Sequence, residues 1–220
     1  MPRNTRLALA LAVLAVAAYG VYFFMIRPAP APAPVPVDVS VPAAGTGGPI
    51  EGDAPGPYLT ITVAGEANGQ ITIDLFEQLA PNHVEQISEL ASAGAYDGVV
   101  FHRVIAGFMA QTGDVQFGRS DGDTARAGMG GSERPDLKAE FSDIPFDRGI
   151  VGMARSQSPD SANSQFFIMF DEGHYLNGEY TVVGKVTEGL DVLDAIKLGQ
   201  GPNGSVIGDP DQMKQVTIAE

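Results

Sequence analysis

From residue 58 onward the chain is cut into eight short runs, apolar or alternating: YLTITVA (58–64), QITIDLF (70–76), VVFHRVI (99–105), FMAQT (108–112), GIVGMA (149–154), QFFIMF (165–170), TVVGKV (181–186) and KQVTIA (214–219). A period of two turns one face of a run toward a core and the other toward water, which is strand behaviour. Asn68-Gly69, between the first two runs, is a hairpin signal. Two segments keep a helical period instead. PNHVEQISELASAG places Val84, Ile87, Leu90 and Ala91 on one face, with Pro81 at its start and Gly94 at its end, and LDVLDAIKL ends at Gly199. Many short, closely spaced strands with two helices predict an all-β fold. Its expected form is a closed eight-stranded antiparallel β-barrel capped by two α-helices. Residues 113–148, rich in Gly, Asp and Arg, read as a long surface excursion, and loops of that length are often functional.

The first 57 residues are of another kind. Residues 7–26, LALALAVLAVAAYGVYFFMI, carry no charge. As a helix they span about 30 Å, the depth of a bilayer's hydrocarbon layer. Residues 1–27 are therefore expected to form an N-terminal transmembrane helix, with Tyr22, Phe23 and Phe24 near its outer end. Arg3 and Arg6 precede the run and only Arg27 follows it, which places the N-terminus in the cytoplasm and the remainder across the membrane, on the periplasmic side. The rival expectation is a signal peptide cut near Ala15-Val16-Ala17, leaving a protein secreted to the periplasm. Residues 28–57, rich in Pro, Ala and Gly, are expected to act as a semi-extended tether, and 58–220 to form the folded domain.

Charge narrows the partners. Three of the 13 cationic side chains precede residue 28, leaving 10 against all 27 carboxylates and a net charge of −17 on the rest. Such a surface repels phosphate backbones, so no nucleic-acid partner is expected. There is no cysteine, which removes disulfides and thiolate chemistry. His83, His102 and His174 have no spacing that would assemble a metal site, and the Asp171, Glu172, His174 cluster reads as a solvated turn. Neither a metal nor another cofactor is expected. Asn203-Gly204-Ser205 fits a glycosylation sequon, but a turn explains it more simply.

The puzzle lies in FHRVIAGFMAQTGD, 101–114, where Arg103 and Gln111 stand among residues that favour burial. On physics alone such groups satisfy backbone atoms, pair with a carboxylate or serve a site. Gln165 repeats the pattern at the head of QFFIMF, with Phe167 on the same face two residues on. His102 falls on the face opposite Arg103 and reads as a hydrogen-bonded structural histidine.

FHRVIAGFMAQTGD, followed by SQFFI and then YLNGEYTVVGKV, resembles the cyclophilins, the cyclosporin-binding family of peptidyl-prolyl cis–trans isomerases, in their bacterial form. The resemblance covers roughly 58–220 and implies the same eight-stranded barrel closed by two helices. It implies that Arg103 is the catalytic arginine and that Gln111 bonds the peptide near the reacting bond. Phe108, Met109, Phe167 and Leu176 would hold the substrate's proline ring. Ala154 would lie in the strand whose backbone keeps the peptide extended, Gln165 would help shape the site, and His102 would support it. Tyr175 stands where many members have tryptophan, which implies weak cyclosporin binding. Tyr180 replaces a frequent histidine on the pocket rim, and Arg155 replaces a frequent asparagine. The implied partners are proline-containing polypeptides outside the cytoplasm. The alternative is a proline-peptide-binding or chaperone module with little turnover.

Overall fold

The computed structural model describes residues 56–219. Nine antiparallel strands form one sheet: β1 (Tyr58–Ala64), β2 (Gly69–Leu75), β3 (Val99–Val100), β4 (Arg103–Ile105), β5 (Met109–Thr112), β6 (Ile150–Met153), β7 (Phe166–Met169), β8 (Val182–Glu188) and β9 (Gln212–Ala219). Their order across the sheet is β3-β9-β1-β2-β8-β6-β7-β5-β4.

The expected closed barrel of eight strands is thus corrected to an open sheet of nine, and the cause lies in VVFHRVI. A closed barrel needs this run to be one strand paired on both sides. Instead β3 pairs with β9, and β4 pairs with β5. Phe101 and His102, which lie between the two strands, are buried but belong to neither. The chain leaves the ladder at Phe101 and His102. There Phe101 N donates to Asp211 O at 2.8 Å, and His102 O accepts from Val206 N at 3.0 Å. The segment leading into β9 covers the gap, so β3 and β4 remain the two sheet edges.

Helix α1 (Pro81–Ser92) turns Val84, Ile87, Leu90 and Ala91 into the core, as their spacing predicts. No side chain of its own caps its start. The carboxylate of Glu140, far along the chain, accepts from Asn82 N and His83 N instead. Gly94, with φ of 67°, ends the helix in the left-handed conformation that glycine adopts without steric cost. The second helix, α2, runs only from Leu190 to Asp194 rather than to Leu198. The backbone N–H of Lys197 is taken by the buried Asp211 carboxylate at 2.7 Å, which pulls the chain out of helical register.

The anchor expected at 1–27 and most of the tether at 28–57 lie outside the described residues. Among the described residues no helix is long and apolar enough to cross a membrane.

Two apolar clusters fill the fold. The larger joins α1 to one sheet face through residues such as Leu59, Ile61, Ile73, Phe101, Val104 and Ala110. The smaller, with Phe76, Met109, Phe146, Phe167, Leu176 and Val182, has Phe108, Ala154 and Tyr180 packed at its margin. Alternation along β4 and β5 explains the division. Val104 and Ala110 belong to the first cluster, while Arg103 and Gln111 fall on the face that carries the second.

Candidate active site

Cross-strand register assembles the site. Arg103 lies opposite Gln111, Gln111 opposite Phe167, and Phe167 opposite Gly152, giving one row across β4, β5, β7 and β6. Gly152 is where that row needs no side chain. A Cβ there would come within 2.6 Å of both Phe146 and Phe167, whose rings stack with centroids 5.7 Å apart.

Above the row opens a cleft of about 130 Å³, lined by Arg103, Phe108, Met109, Gln111, Ala154, Arg155, Phe167, Leu176 and Tyr180. Tyr180 meets Phe167 edge to face at 5.7 Å, and so walls one side. Phe108 holds the other side with Tyr175 against it at 5.9 Å. A small cleft walled by Phe108, Met109, Phe167, Leu176 and Tyr180, with a guanidinium and an amide at its floor, suits a compact apolar ring attached to a polar linkage.

The guanidinium is held in place from several sides. Arg103 Nε donates to Asn203 O at 2.9 Å, and Nη2 to Asn203 Oδ1 at 3.2 Å. Nη1 donates to Gln111 Oε1 at 3.1 Å and to Met109 Sδ at 3.8 Å. Of the five N–H bonds of a guanidinium, four are engaged, one of them weakly to sulfur, and one on Nη2 stays available. Partial burial lowers the guanidinium pKa from its ordinary value, while an arginine keeps its charge in any such setting.

Gln111 passes the order onward. Its Nε2 donates to Gln165 Oε1 at 3.0 Å, and Gln165 Nε2 donates to Gly130 O at 2.7 Å. Each amide both donates and accepts, so neither can rotate without losing a bond. Gln165 lies outside the small cleft and lines a wider polar one of about 390 Å³ that adjoins it. Ala154 and Arg155 border both spaces.

The expected site residues therefore divide into three groups. Arg103, Phe108, Met109, Gln111, Ala154, Phe167, Leu176 and Tyr180 line the small cleft together. Gln165 reaches it through Gln111, and Tyr175, 70% exposed, stands at its edge on Phe108. His102 is not in the cleft. It is buried, and a Cβ placed on Gly128 would lie only 2.9 Å from its ring. No hydrogen bond of good geometry reaches either ring nitrogen, although the Val100 backbone and the Gln165 side chain lie near enough to favour its protonated form. Burial, only partly opposed by the Asp114 carboxylate, lowers its pKa to about 4, so the ring is neutral near pH 7 and adds no second cation behind Arg103.

One residue of the site was not foreseen. Asn203, assigned above to a simple turn, grips Arg103 through both its backbone and side-chain oxygens. It is the non-glycine residue with positive φ (56°) among those described. Asparagine tolerates that conformation better than most residues, and a strained backbone beside a charged group is a mark of function. The Pro202-Asn203-Gly204 sequence signals the turn but not its target, a hundred positions away.

Comparisons with known proteins agree with this geometry. The family model described as "Cyclophilin type peptidyl-prolyl cis-trans isomerase/CLD" matches residues 58–220. A Brucella suis protein named "Probable peptidyl-prolyl cis-trans isomerase" is 59% identical over 153 residues, covering 69% of this chain and 78% of its own. The crystal structure of a Cryptosporidium parvum cyclophilin-type isomerase, determined in the presence of the dipeptide Ala-Pro, superposes with a TM-score of 0.62 at 26% identity. It covers 74% of this chain and 99% of that one. Cyclophilin AquaCyp293 from Hirschia baltica superposes with a TM-score of 0.60 at 26% identity, covering 75% and 74%. By sequence along the whole folded domain, and by fold, the chain belongs to the cyclophilin-type peptidyl-prolyl cis–trans isomerases.

Proposed function

We propose that the domain accelerates X-Pro bond rotation in polypeptides outside the cytoplasm, through electrostatic stabilisation of the twisted amide by Arg103. The carrying observation is the guanidinium fixed at the floor of an apolar cleft with one N–H of Nη2 left over. An X-Pro amide rotates slowly because rotation sacrifices C–N double-bond character, with a barrier of roughly 18–20 kcal/mol. In the twisted state the prolyl nitrogen becomes pyramidal and regains a lone pair. A cationic N–H directed at that nitrogen binds the twisted form better than either planar form, which is the condition for catalysis. The proline ring occupies the space among Phe108, Met109, Phe167, Leu176 and Tyr180. Gln111 accepts one of the guanidinium's hydrogen bonds and keeps its second acceptor site and one amide N–H for the peptide. No bond is made or broken, so the site requires no nucleophile.

Proline-containing polypeptides are the substrates on this reading. The use of Ala-Pro with the Cryptosporidium protein supports a groove that accepts short proline peptides. Tyr175 offers a smaller apolar face than tryptophan, and this supports weak cyclosporin binding at most. Adding the domain, residues 56–220, to a short Ala-Pro-containing peptide should shorten its cis-to-trans relaxation, followed by NMR exchange or a coupled protease. Relaxation at the uncatalysed rate at micromolar enzyme would overturn the reading in favour of a binding module.

The location rests on the uncharged residues 7–26 behind Arg3 and Arg6, which support delivery across a membrane with attachment to it. Full-length protein is expected to stay with membranes through a carbonate wash and to be digested by protease added to spheroplasts. Protection from protease in intact spheroplasts would place the domain in the cytoplasm instead. A mature chain beginning near Ala18 would keep the location and remove the attachment.

A further inference from the structure

We infer that Arg155 gives the enzyme a preference for substrates carrying a carboxylate on one of the two residues that precede the proline, an inference that rests on the isomerase reading above. Arg155 borders both the small cleft and the wider polar one, and with Arg103 it supplies the cations among the residues lining the two spaces. In the proposed mechanism the last N–H of Arg103 is committed to the prolyl nitrogen. Arg155 is therefore the charge available to a substrate side chain.

Its own bonds leave it able to act. Nε and Nη2 donate to Glu179 O at 3.1 and 2.9 Å, and Nη1 donates to Ser156 O at 3.1 Å. That leaves one N–H on each terminal nitrogen. The guanidinium lies over the Tyr180 ring, 4.4 Å from its centroid, with only 14% of the side chain exposed. It is a rigid fork fixed by backbone oxygens and an aromatic face, so a carboxylate that meets it need not restrain a long mobile chain.

The direction of the peptide follows from the chemistry. The ring lies in the apolar part of the cleft with its nitrogen toward Arg103. What the nitrogen joins next is the carbonyl of the preceding residue, on the side of Gln111, Ala154 and Arg155, where the wider cleft begins. The wider cleft is polar, lined by Ser132, Ser156, Ser161, Asn163 and Gln165 among others. Asp136, which accepts from the Asn163 amide at 3.1 Å, lines the wider cleft, and Glu179 approaches Arg155 from outside it, its Oε2 3.6 Å from Arg155 Nη2. Glu179 has 68% of its side chain in solvent, so it competes only weakly with a substrate carboxylate. Residues 58–220 carry 10 cationic and 24 anionic side chains, a net charge of −14, so a cationic groove there stands against its surroundings, and charge opposed to the global field is more informative than charge that follows it.

The test compares kcat/KM for Ala-Glu-Pro-Phe with Ala-Gln-Pro-Phe, and for Glu-Ala-Pro-Phe with Gln-Ala-Pro-Phe. The native enzyme should favour the Glu peptide of at least one pair by about threefold to fivefold, the range of a partly exposed ion pair. Arg155→Gln should bring that ratio to about one. Glu179→Gln removes the competing carboxylate and leaves the backbone acceptors of Arg155 in place. It should widen the ratio about twofold, and so tests the inference even if Arg155→Gln folds poorly. A native ratio of one or less for both pairs, or a preference that survives Arg155→Gln, would overturn the inference. Absence of turnover for all four peptides would overturn the isomerase reading rather than this one.

Discussion

Replacing Arg103 by alanine is expected to lower kcat/KM by about 10²–10³, or roughly 3–4 kcal/mol of transition-state stabilisation, the effect of deleting one preorganised donor at a developing charge. The loss should fall mainly on kcat, because the apolar walls that hold the proline ring remain. Stability should change little. Arg103 is half-buried, and the oxygens it leaves, on Asn203 and Gln111, lie at an open cleft where water can replace it. Arg103→Lys separates charge from shape. A lysine keeps the charge but has neither the planar fork that Asn203 and Gln111 hold nor a fixed direction for its remaining N–H, so most of the activity should still be lost. The measurement is isomerisation of a short Ala-Pro peptide alongside urea unfolding. Full activity in a folded Arg103→Ala protein would show that Arg103 is structural and that the mechanism lies elsewhere.

Arg103 and Gln111 were legible in the sequence because they break a pattern. A cation and an amide within an apolar strand run must be explained, and the surrounding F-H-R-x-I-x-G-F-M-x-Q signature supplies the explanation. β1 and β2 were legible from alternation, β6 and β7 from short continuous apolar runs, and α1 from its apolar spacing. Other features depend on contacts that no local pattern carries. VVFHRVI reads as one strand, yet the buried pair Phe101 and His102 takes its backbone partners from Asp211 and Val206, so the sheet opens there. The end of α2 is set by the same Asp211. The start of α1 is capped by Glu140, which the sequence places in a polar excursion. Asn203 looks like a turn residue until the fold brings it to Arg103. In each case a side chain or backbone group meets a partner tens of residues away, and short-range period and propensity contain no information about it.

Asp114 shows how such a hidden contact bears on the site, and its removal is expected to have the largest effect on stability. It closes the signature stretch and reads as part of the start of the excursion, yet it is fully buried. Its Oδ1 accepts from Gln116 N at 3.1 Å and Phe117 N at 2.9 Å. Its Oδ2 accepts from Gly128 N at 2.7 Å and Gly130 N at 2.9 Å. One carboxylate thus ties both ends of the 116–130 segment to β5. Asp114→Ala would leave four backbone donors without a partner, and breaking such a buried network costs about 3–5 kcal/mol. That is a large share of the roughly 5–15 kcal/mol that holds an ordinary domain together. Asp114→Asn should be nearly as harmful, although its volume is unchanged. An amide keeps one acceptor oxygen and turns an NH₂ toward two N–H groups. The damage should extend to catalysis, because Gly130 O receives the Gln165 amide that orders Gln111, which in turn holds Arg103. In cold, dilute buffer where the Asn variant is still folded, its kcat/KM should fall several-fold beyond any loss of folded protein. Urea midpoints read the first effect, and activity per folded molecule the second. A stability change under about 1 kcal/mol would mean that water replaces the carboxylate and that the segment is anchored elsewhere. Loss of stability with undiminished activity per folded molecule would sever the link from Asp114 through Gly130 to the catalytic arginine.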